Sequence, residues 1–220
     1  MLRIRPSEIP HVFTDGSGLH TLNLVPGQAV YGEKLTTQEG VEYRFWNPRK
    51  SKLAALILKG CEVFPFTEQS TVLYLGAASG TTASHVSDIC SCGMVYCVEV
   101  SPRPFRNLIS ISESRENMMP LLADANRPEE YQRIVGRADI LYQDIAQRNQ
   151  AEIFLKNIRF VNEDGYAILM LKARSVDVTQ RPERVYRAVE DELSRSDVNI
   201  LQRVNLEPFE KDHAAFITQE

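Results

Sequence analysis

The sequence predicts an α/β fold: a doubly wound, mostly parallel sheet with a terminal antiparallel hairpin, preceded by a small antiparallel β unit. Three observations carry that reading. Residues 72–75 form an apolar run that ends on Gly76, passes through the small-residue turn Ala77-Ala78-Ser79-Gly80-Thr81-Thr82 and enters a helical pattern. That is a buried parallel strand feeding a βα turn. Strand-like and helix-period segments then alternate to about residue 195, the pattern of a parallel sheet with crossover helices. Finally, the runs 200–206 and 214–218 are joined by only about seven residues. A crossover needs a dozen or more, so these two strands pair antiparallel.

Taken in order, residues 12–14, the turn Asp15-Gly16-Ser17-Gly18 and residues 19–24 read as a hairpin. Pro26-Gly27 marks another turn, and Glu39-Gly40 separates two further strands ending near Phe45. Residues 1–45 are therefore expected to be a small β domain and 46–220 the main domain. His11 and His20, beside the hairpin, read as structural or solvated. Asn47-Pro48 predicts a helix start, with Asn47 as N-cap, Pro48 first in the helix and Gly60 as the stop. That helix buries Leu53, Leu56 and Ile57 and carries Lys52 at the border of its apolar stripe.

The helix 82–90 follows the glycine turn, and the strand 94–98 ends on Glu99. A helix through Phe105, Leu108, Ile109 and Ser112 leads to strand 118–123, ending at Asp124. Residues 128–135 read as helix, and strand 138–142 runs to Asp144. A helix over 151–160 comes next. Asp164-Gly165 turns into strand 166–171, which ends at Lys172, and Pro182 opens a helix with Val185, Val189 and Leu193 at i+4 spacing.

Composition frames the chemistry. The 220 residues suffice for a full core, and 43% hydrophobic with 25% charged content is ordinary for a soluble protein. The opening Met1-Leu2-Arg3-Ile4-Arg5-Pro6 lacks the apolar stretch of a signal peptide, and no apolar run approaches a membrane span. A cytoplasmic protein without membrane contact is expected. Cys61 is isolated, while Cys90, Cys92 and Cys97 bunch around Gly93 without the spacing of a metal site. They read as buried free thiols in a reducing compartment, and no metal is expected. The net charge of −4 argues against gripping nucleic acid unaided. Two local basic stretches stand out: Arg44, Arg49, Lys50, Lys52 and Lys59, then Lys172, Arg174, Arg181, Arg184 and Arg187. They suggest a polyanion site, although solvated helix faces account for them equally well.

Ligands of doubly wound sheets bind outside the carboxyl ends of the strands. That edge holds Gly76, Glu99, Asp124, Asp144 and Lys172, and the beginning of the reversed last strand adds His213. A dinucleotide fingerprint would need glycines where Ala78 and Thr81 stand, and Ala78 crowds the place of a pyrophosphate. A phosphate-free cofactor fits better, S-adenosylmethionine being the commonest. Glu99, 23 residues beyond Gly76, can accept from both ribose hydroxyls. The alternation ending in a hairpin is likewise the layout of Rossmann-like methyltransferases rather than of dehydrogenases.

Four separated motifs now point to a family. Asn47-Pro48-Arg49-Lys50-Ser51-Lys52-Leu53-Ala54-Ala55, Tyr74-Leu75-Gly76-Ala77-Ala78-Ser79-Gly80-Thr81-Thr82, Asp144-Ile145-Ala146-Gln147 and Leu206-Glu207-Pro208-Phe209-Glu210-Lys211-Asp212-His213-Ala214 closely resemble fibrillarin, and the likeness covers nearly the whole chain. The resemblance implies an S-adenosylmethionine-dependent methyltransferase acting on the ribose 2′-hydroxyl of RNA within a box C/D guide ribonucleoprotein. Without the glycine- and arginine-rich N-terminal tail of eukaryotic members, the chain looks like the archaeal type, which modifies rRNA and tRNA. Implied partners are the guide and target RNAs, a Nop-type scaffold protein and a kink-turn-binding ribosomal-type protein.

Carried over by motif, the catalytic tetrad falls on Lys52, Asp144, Lys172 and His213. The cofactor residues, with the glycine turn of Gly76, Ala78 and Gly80, are Thr81, Thr82, Glu99, Val100, Asp124, Ala125, Asp144, Ile145, Ala146 and Gln147. Val100 replaces the family's usual aromatic residue, and Pro102-Arg103-Pro104 stiffens the segment behind it. The chemistry agrees with these residue types, because an alcohol is a poor nucleophile and must give up its proton while aligned with the methyl group. A neutral lysine could take that proton, a form that a neighbouring ammonium favours. Two other readings stay open: a non-catalytic subunit of the same particle, and a nicotinamide-dependent oxidoreductase, which Ala78 and the terminal hairpin disfavour.

Overall fold

A computed structural model describes residues 3–219. Met1, Leu2 and Glu220, at the outer bounds of the two expected domains and in the expected leaderless start, lie outside the described residues. The chain first forms a five-stranded antiparallel sheet from β1 (Arg5–Pro6), β2 (Phe13–Thr14), β3 (Leu19–Leu22), β4 (Leu35–Gln38) and β5 (Val41–Trp46), in the order β1-β2-β3-β5-β4. Next come α1 (Lys52–Leu58), β6 (Thr71–Leu75), α2 (Thr81–Ile89), β7 (Met94–Glu99), α3 (Pro102–Ser112), β8 (Met118–Leu122), α4 (Gln132–Val135), β9 (Ala138–Gln143) and α5 (Gln150–Ile158). The chain continues through β10 (Val161–Lys172), α6 (Ala173–Val176), α7 (Pro182–Arg195), β11 (Asn199–Asn205) and β12 (His213–Gln219). The second sheet has the order β11-β12-β10-β9-β6-β7-β8. Strands β6 to β10 are parallel, and β12 runs antiparallel between β10 and β11. The predicted fold class and terminal hairpin are therefore present.

The two-residue period of the strands divides the core. Tyr74, Tyr142, Ile168 and Met170 face Leu53, Leu56 and Val86 of α1 and α2. Leu73, Leu75, Leu141 and Leu171 face Phe154, Val189 and Leu193 of α5 and α7. The inner parallel strands β6, β7 and β9 are covered on both faces, which is why they read as apolar runs, whereas the edge strand β8 stays partly exposed.

Several boundaries differ from expectation, each for a local reason. Asn47 and Pro48 form a turn instead of a helix start: Lys50 N–H donates to Asn47 O at 3.0 Å and Arg49 N–H to Asn47 Oδ1 at 2.9 Å. Proline suits the second position of such a turn as well as a helix start. The cap of α1 is Ser51, whose Oγ accepts from Trp46 Nε1 at 2.9 Å and Thr82 Oγ1 at 3.0 Å. Residues 128–135 split into a 3-10 turn, Pro128–Glu130, and α4. Asp164-Gly165 does not separate two elements. One long strand, β10, passes through them with a register break against β9 between Val161 and Tyr166, the signature of a bulge. The cysteines are free, but Cys92 is exposed, unlike buried Cys61, Cys90 and Cys97.

The antiparallel sheet is joined to α2 through buried charge. Arg44, fully buried, donates from Nε to Glu33 Oε1 at 2.7 Å, from Nη1 to Asp88 Oδ2 at 2.7 Å and from Nη2 to Ser84 Oγ at 2.9 Å. Arg115 donates to the other Asp88 oxygen at 2.7 Å, and the Thr21 hydroxyl also donates to Asp88, at 2.8 Å. Arg44 is therefore withdrawn from the surface basic stretch predicted to include it. His85, stacked on Trp46 with centroids 5.0 Å apart, lies inside this network. Its pKa is pushed well below the usual histidine value by burial, then by the charges of Arg44 and Arg115.

Removing one member of a buried ion network leaves its partners desolvated and uncompensated. Asp88→Asn is expected to lower folding stability by roughly 3–5 kcal/mol. The check is a urea titration: the midpoint falls while the slope stays constant.

Candidate active site

The site forms where β6, β7, β9 and β10 end. Gly76 leaves β6 at φ +80°, and a Cβ there would run into the carbonyl of Asp144. The turn therefore needs glycine both for its backbone angle and for the approach of the next strand. Gly76 N–H and Ala77 N–H both donate to Val98 O, at 2.9 and 3.1 Å, while Asp144 N–H donates to Leu75 O at 2.9 Å. Three strand ends are thereby drawn together around a cleft of about 220 Å³.

Glu99 forms one wall. It is 8% exposed, with Oε2 accepting from Ala78 N–H at 2.9 Å and Oε1 from Ser101 N–H at 2.7 Å. A carboxylate has about four lone-pair sites, so two remain for ligand hydroxyls. At the other end, Asp124 Oδ1 accepts from Asn126 N–H at 2.9 Å, and Asn126 Nδ2 donates to Gln147 Oε1 at 3.1 Å. Gly76, Ala78, Glu99, Val100, Asp124, Ala125 and the run Asp144, Ile145, Ala146 and Gln147 line the cleft.

Gly80, Thr81 and Thr82 are not among the lining residues. Gly80 caps α2 against Leu108 and Ile111, and the Thr82 hydroxyl turns inward to Ser51. Val100 is 51% exposed on the rim, and Pro102 takes the first position of α3. The proline-rich segment thus serves as a helix start. The donor set suits a nucleoside, with Glu99 placed for ribose hydroxyls. It does not suit a pyrophosphate, because the Ala78 N–H is already engaged by Glu99.

Four charged or titratable side chains gather beside this cleft. Lys52 opens α1, and its Nζ donates to Asp144 Oδ1 at 2.8 Å and Oδ2 at 2.9 Å, each side chain 21% exposed. Lys172 ends β10 directly opposite His213, the first residue of β12. Cross-strand partners share a face, and the alternation puts Lys172 and His213 on the Tyr142 and Met170 face, which α1 covers. Tyr74 and Tyr142, with ring centroids 4.6 Å apart, pack on that same face beneath the strand ends.

His213 Nδ1 lies 2.7 Å from Lys211 O. A carbonyl only accepts, so Nδ1 carries the proton and Nε2 the lone pair. Burial lowers the His213 pKa, and the charges of Lys52 and Lys172 lower it further, partly opposed by the Lys211 hydrogen bond and Asp144. The neutral form of the imidazole is thus favoured.

Two residues escaped the sequence reading. Glu210 lies 3.9 Å from His213 Nδ1, with its pKa raised by burial and by Asp144 against the pull of Lys52 and Lys172. Its position inside the Leu206–Ala214 motif was the available signal. Gln150, the first residue of α5, bonds the backbone of Lys172. A buried glutamine at a helix start carries no comparable signal. No group of three or more His, Cys, Asp or Glu among the described residues could hold a metal ion.

Comparison with known proteins agrees across the whole chain. The family profile described as Fibrillarin matches residues 8–220. The fibrillarin-like rRNA/tRNA 2′-O-methyltransferase of Thermococcus onnurineus is 49% identical over 226 residues, covering 100% of both chains. Aeropyrum pernix fibrillarin, solved with natively bound S-adenosyl-L-methionine, superposes with a TM-score of 0.89 at 43% identity, over 99% of this chain and 100% of that one. A structure of a fibrillarin/Nop5p complex gives 0.87 at 42% identity, over 94% and 96% of the two chains. The chain belongs to the fibrillarin family.

Proposed function

We propose that this chain is an S-adenosylmethionine-dependent methyltransferase that modifies ribose 2′-hydroxyls of rRNA and tRNA within a box C/D guide ribonucleoprotein. The observation that carries the reading is the Lys52–Asp144 ion pair standing beside the paired Lys172 and His213, next to a cleft walled by Glu99. When bound, S-adenosylmethionine supplies an electrophilic methyl group on a sulfonium centre. Glu99 would accept from its ribose hydroxyls, Asp124, Ala125 and the run Asp144 to Gln147 would line the rest of its site, and Val100 would form the rim.

The remaining task is to remove the proton of the RNA 2′-hydroxyl. Lys52 is committed to Asp144 in a two-pronged ion pair, so it orients and donates. Proton acceptance falls to Lys172 or to neutral His213 through Nε2. The cationic side chains also stabilise negative charge developing on the attacking oxygen. A Nop-type scaffold protein docks the chain on the particle, and the guide RNA with a kink-turn-binding protein completes it. No described helix is long and apolar enough to cross a membrane; the compartment proposed is a reducing cytoplasm, with which the four unpaired cysteines are compatible.

Glu99→Gln replaces a charge-assisted acceptor and points an amide donor at backbone N–H groups. Calorimetry should show the S-adenosylmethionine dissociation constant raised about tenfold or more, as hydrogen bonds to charged groups contribute roughly 1.5–3 kcal/mol. An unchanged constant would remove Glu99 from the cofactor site.

Lys172→Ala should leave folding and cofactor affinity intact while cutting the single-turnover rate by about 10²–10⁴-fold. The assay is labelled-methyl transfer to guided RNA in the assembled particle. Arginine at 172 should restore little if the amine accepts the proton, because guanidinium does not release its own. Near-native rates with arginine would give Lys172 an electrostatic role and leave acceptance to His213. Full activity of Lys172→Ala would contradict the site assignment.

The His213 ring should titrate below the ordinary value of about 6.5. In Lys52→Met, one of the charges that lowers it is gone, so the NMR titration midpoint should move up. A midpoint that stays in place would separate Lys52 from the His213 field.

A further inference from the structure

We propose that Gln150 is the positioning residue for Lys172, and that it couples the placement of that lysine to the cofactor loop 144–147. The inference rests on the assignment of Lys172 to the active site. It starts from a gap in the sheet. Against β9 the pairing of β10 ends at Leu169 with Gln143, three residues short of Lys172. Against β12 it continues to Lys172 with His213. Lys172 therefore has a strand neighbour on one side only, and its backbone N–H and C=O point to the side where β9 has already ended.

The Gln150 side chain fills that place. Its Oε1 accepts from Lys172 N–H at 2.9 Å, and its Nε2 donates to Lys172 O at 3.1 Å. The same Nε2 donates to Gln147 O at 2.7 Å. Both carbonyls need a donor and the N–H needs an acceptor, so the amide orientation is fixed by its partners. Gln150 is fully buried, and its own carbonyl accepts at 2.7 Å from Nε2 of Gln143, also fully buried, which directly precedes Asp144. One amide thus holds the end of β10, the loop after β9 and the start of α5 as a unit.

Its chemistry explains the residue type. Leucine could satisfy none of the three backbone groups, glutamate could satisfy the N–H but not the carbonyls, and asparagine is one methylene too short. Gln150 grips the backbone, while the Lys172 side chain lies on the face that α1 covers, beside His213. It acts through Lys172 without touching substrate, and a displacement of about 1 Å at a reacting group can cost about 10²-fold in rate.

The test is a double-mutant cycle in the assembled ribonucleoprotein, measured as single-turnover methyl transfer to guided RNA across pH. Gln150→Leu is expected to lower the rate at saturating cofactor and RNA by about 10–10²-fold and to alter its pH profile. In the Lys172→Ala background it should add little, since no amine remains to be misplaced. Gln150→Glu, which keeps the shape and one acceptor, serves where the leucine variant does not fold and should show the same non-additivity. A rate and pH profile unchanged by Gln150→Leu, or a full additional loss in the Lys172→Ala background, overturns the inference. A Lys172→Ala particle of full activity instead removes the site assignment itself, and with it the coupling proposed here. The single variants distinguish the two failures.

Discussion

The site depends on how closely two strand ends can approach each other. Leu75 receives the N–H of Asp144, and the next two residues, Gly76 and Ala77, both turn their N–H groups onto Val98. The chain leaving β6 thus bridges its neighbours on both sides. A side chain at Gly76 would occupy the carbonyl position of Asp144, so Glu99 and Asp144 can face each other across the cleft only because that side chain is missing. Ala78 then sits at φ +48°, a conformation that L residues adopt at some cost. Its N–H bond to Glu99 offsets that cost and fixes the carboxylate in the same stroke. Backbone geometry and ligand chemistry share the same few atoms.

The antiparallel sheet contributes none of the proposed catalytic or cofactor residues, yet it helps set where Lys52 stands. Arg44 holds Asp88 and Ser84 of α2. At the start of α2, Thr82 bonds Ser51, which also receives the indole N–H of Trp46. Ser51 caps α1, and Lys52 is the next residue. Hydrogen bonds, joined by the backbone of α2 and of α1, therefore link a fully buried arginine to the ion pair at Asp144. Buried charge is expensive to desolvate. Here each carboxylate oxygen of Asp88 has a guanidinium partner at 2.7 Å, so the orientation of α2 is specified without leaving a charge uncompensated.

Much of this architecture is legible in the amino-acid sequence. The apolar runs of β6, β7 and β9 announce buried parallel strands, and their last residues name the site edge, because ligands meet such sheets there. The short link before His213 gave the reversed last strand. The misreadings arose where local chemistry is ambiguous. Asn47-Pro48 suits a turn as well as a helix start, and Asp164-Gly165 suits a bulge as well as a turn. Arg44 looked like a surface charge because its partners Glu33 and Asp88 lie 11 and 44 residues away. Gln150 was invisible for a similar reason. Its role follows from where β9 stops relative to β10, a property of the register and not of either segment.

The balance of charge gives a physical reason for two lysines in the proposed catalytic site. A buried imidazole loses its proton more readily, and more so beside two cations; His213 is shifted in that sense, by burial first and then by Lys52 and Lys172. The same cations favour the oxyanion that forms as the hydroxyl is deprotonated. Alone they would repel each other and the sulfonium of the cofactor. Asp144 prevents this by pairing with Lys52, which leaves Lys172 as the lysine not tied into that ion pair. Glu210, whose carboxyl is raised by burial, is the nearest carboxylate to His213 by distance, but it faces the protonated Nδ1 and not the lone pair at Nε2. Each carboxylate therefore moderates one cation or one donor, and neither approaches the acceptor side of His213, the side open to substrate in the proposed mechanism.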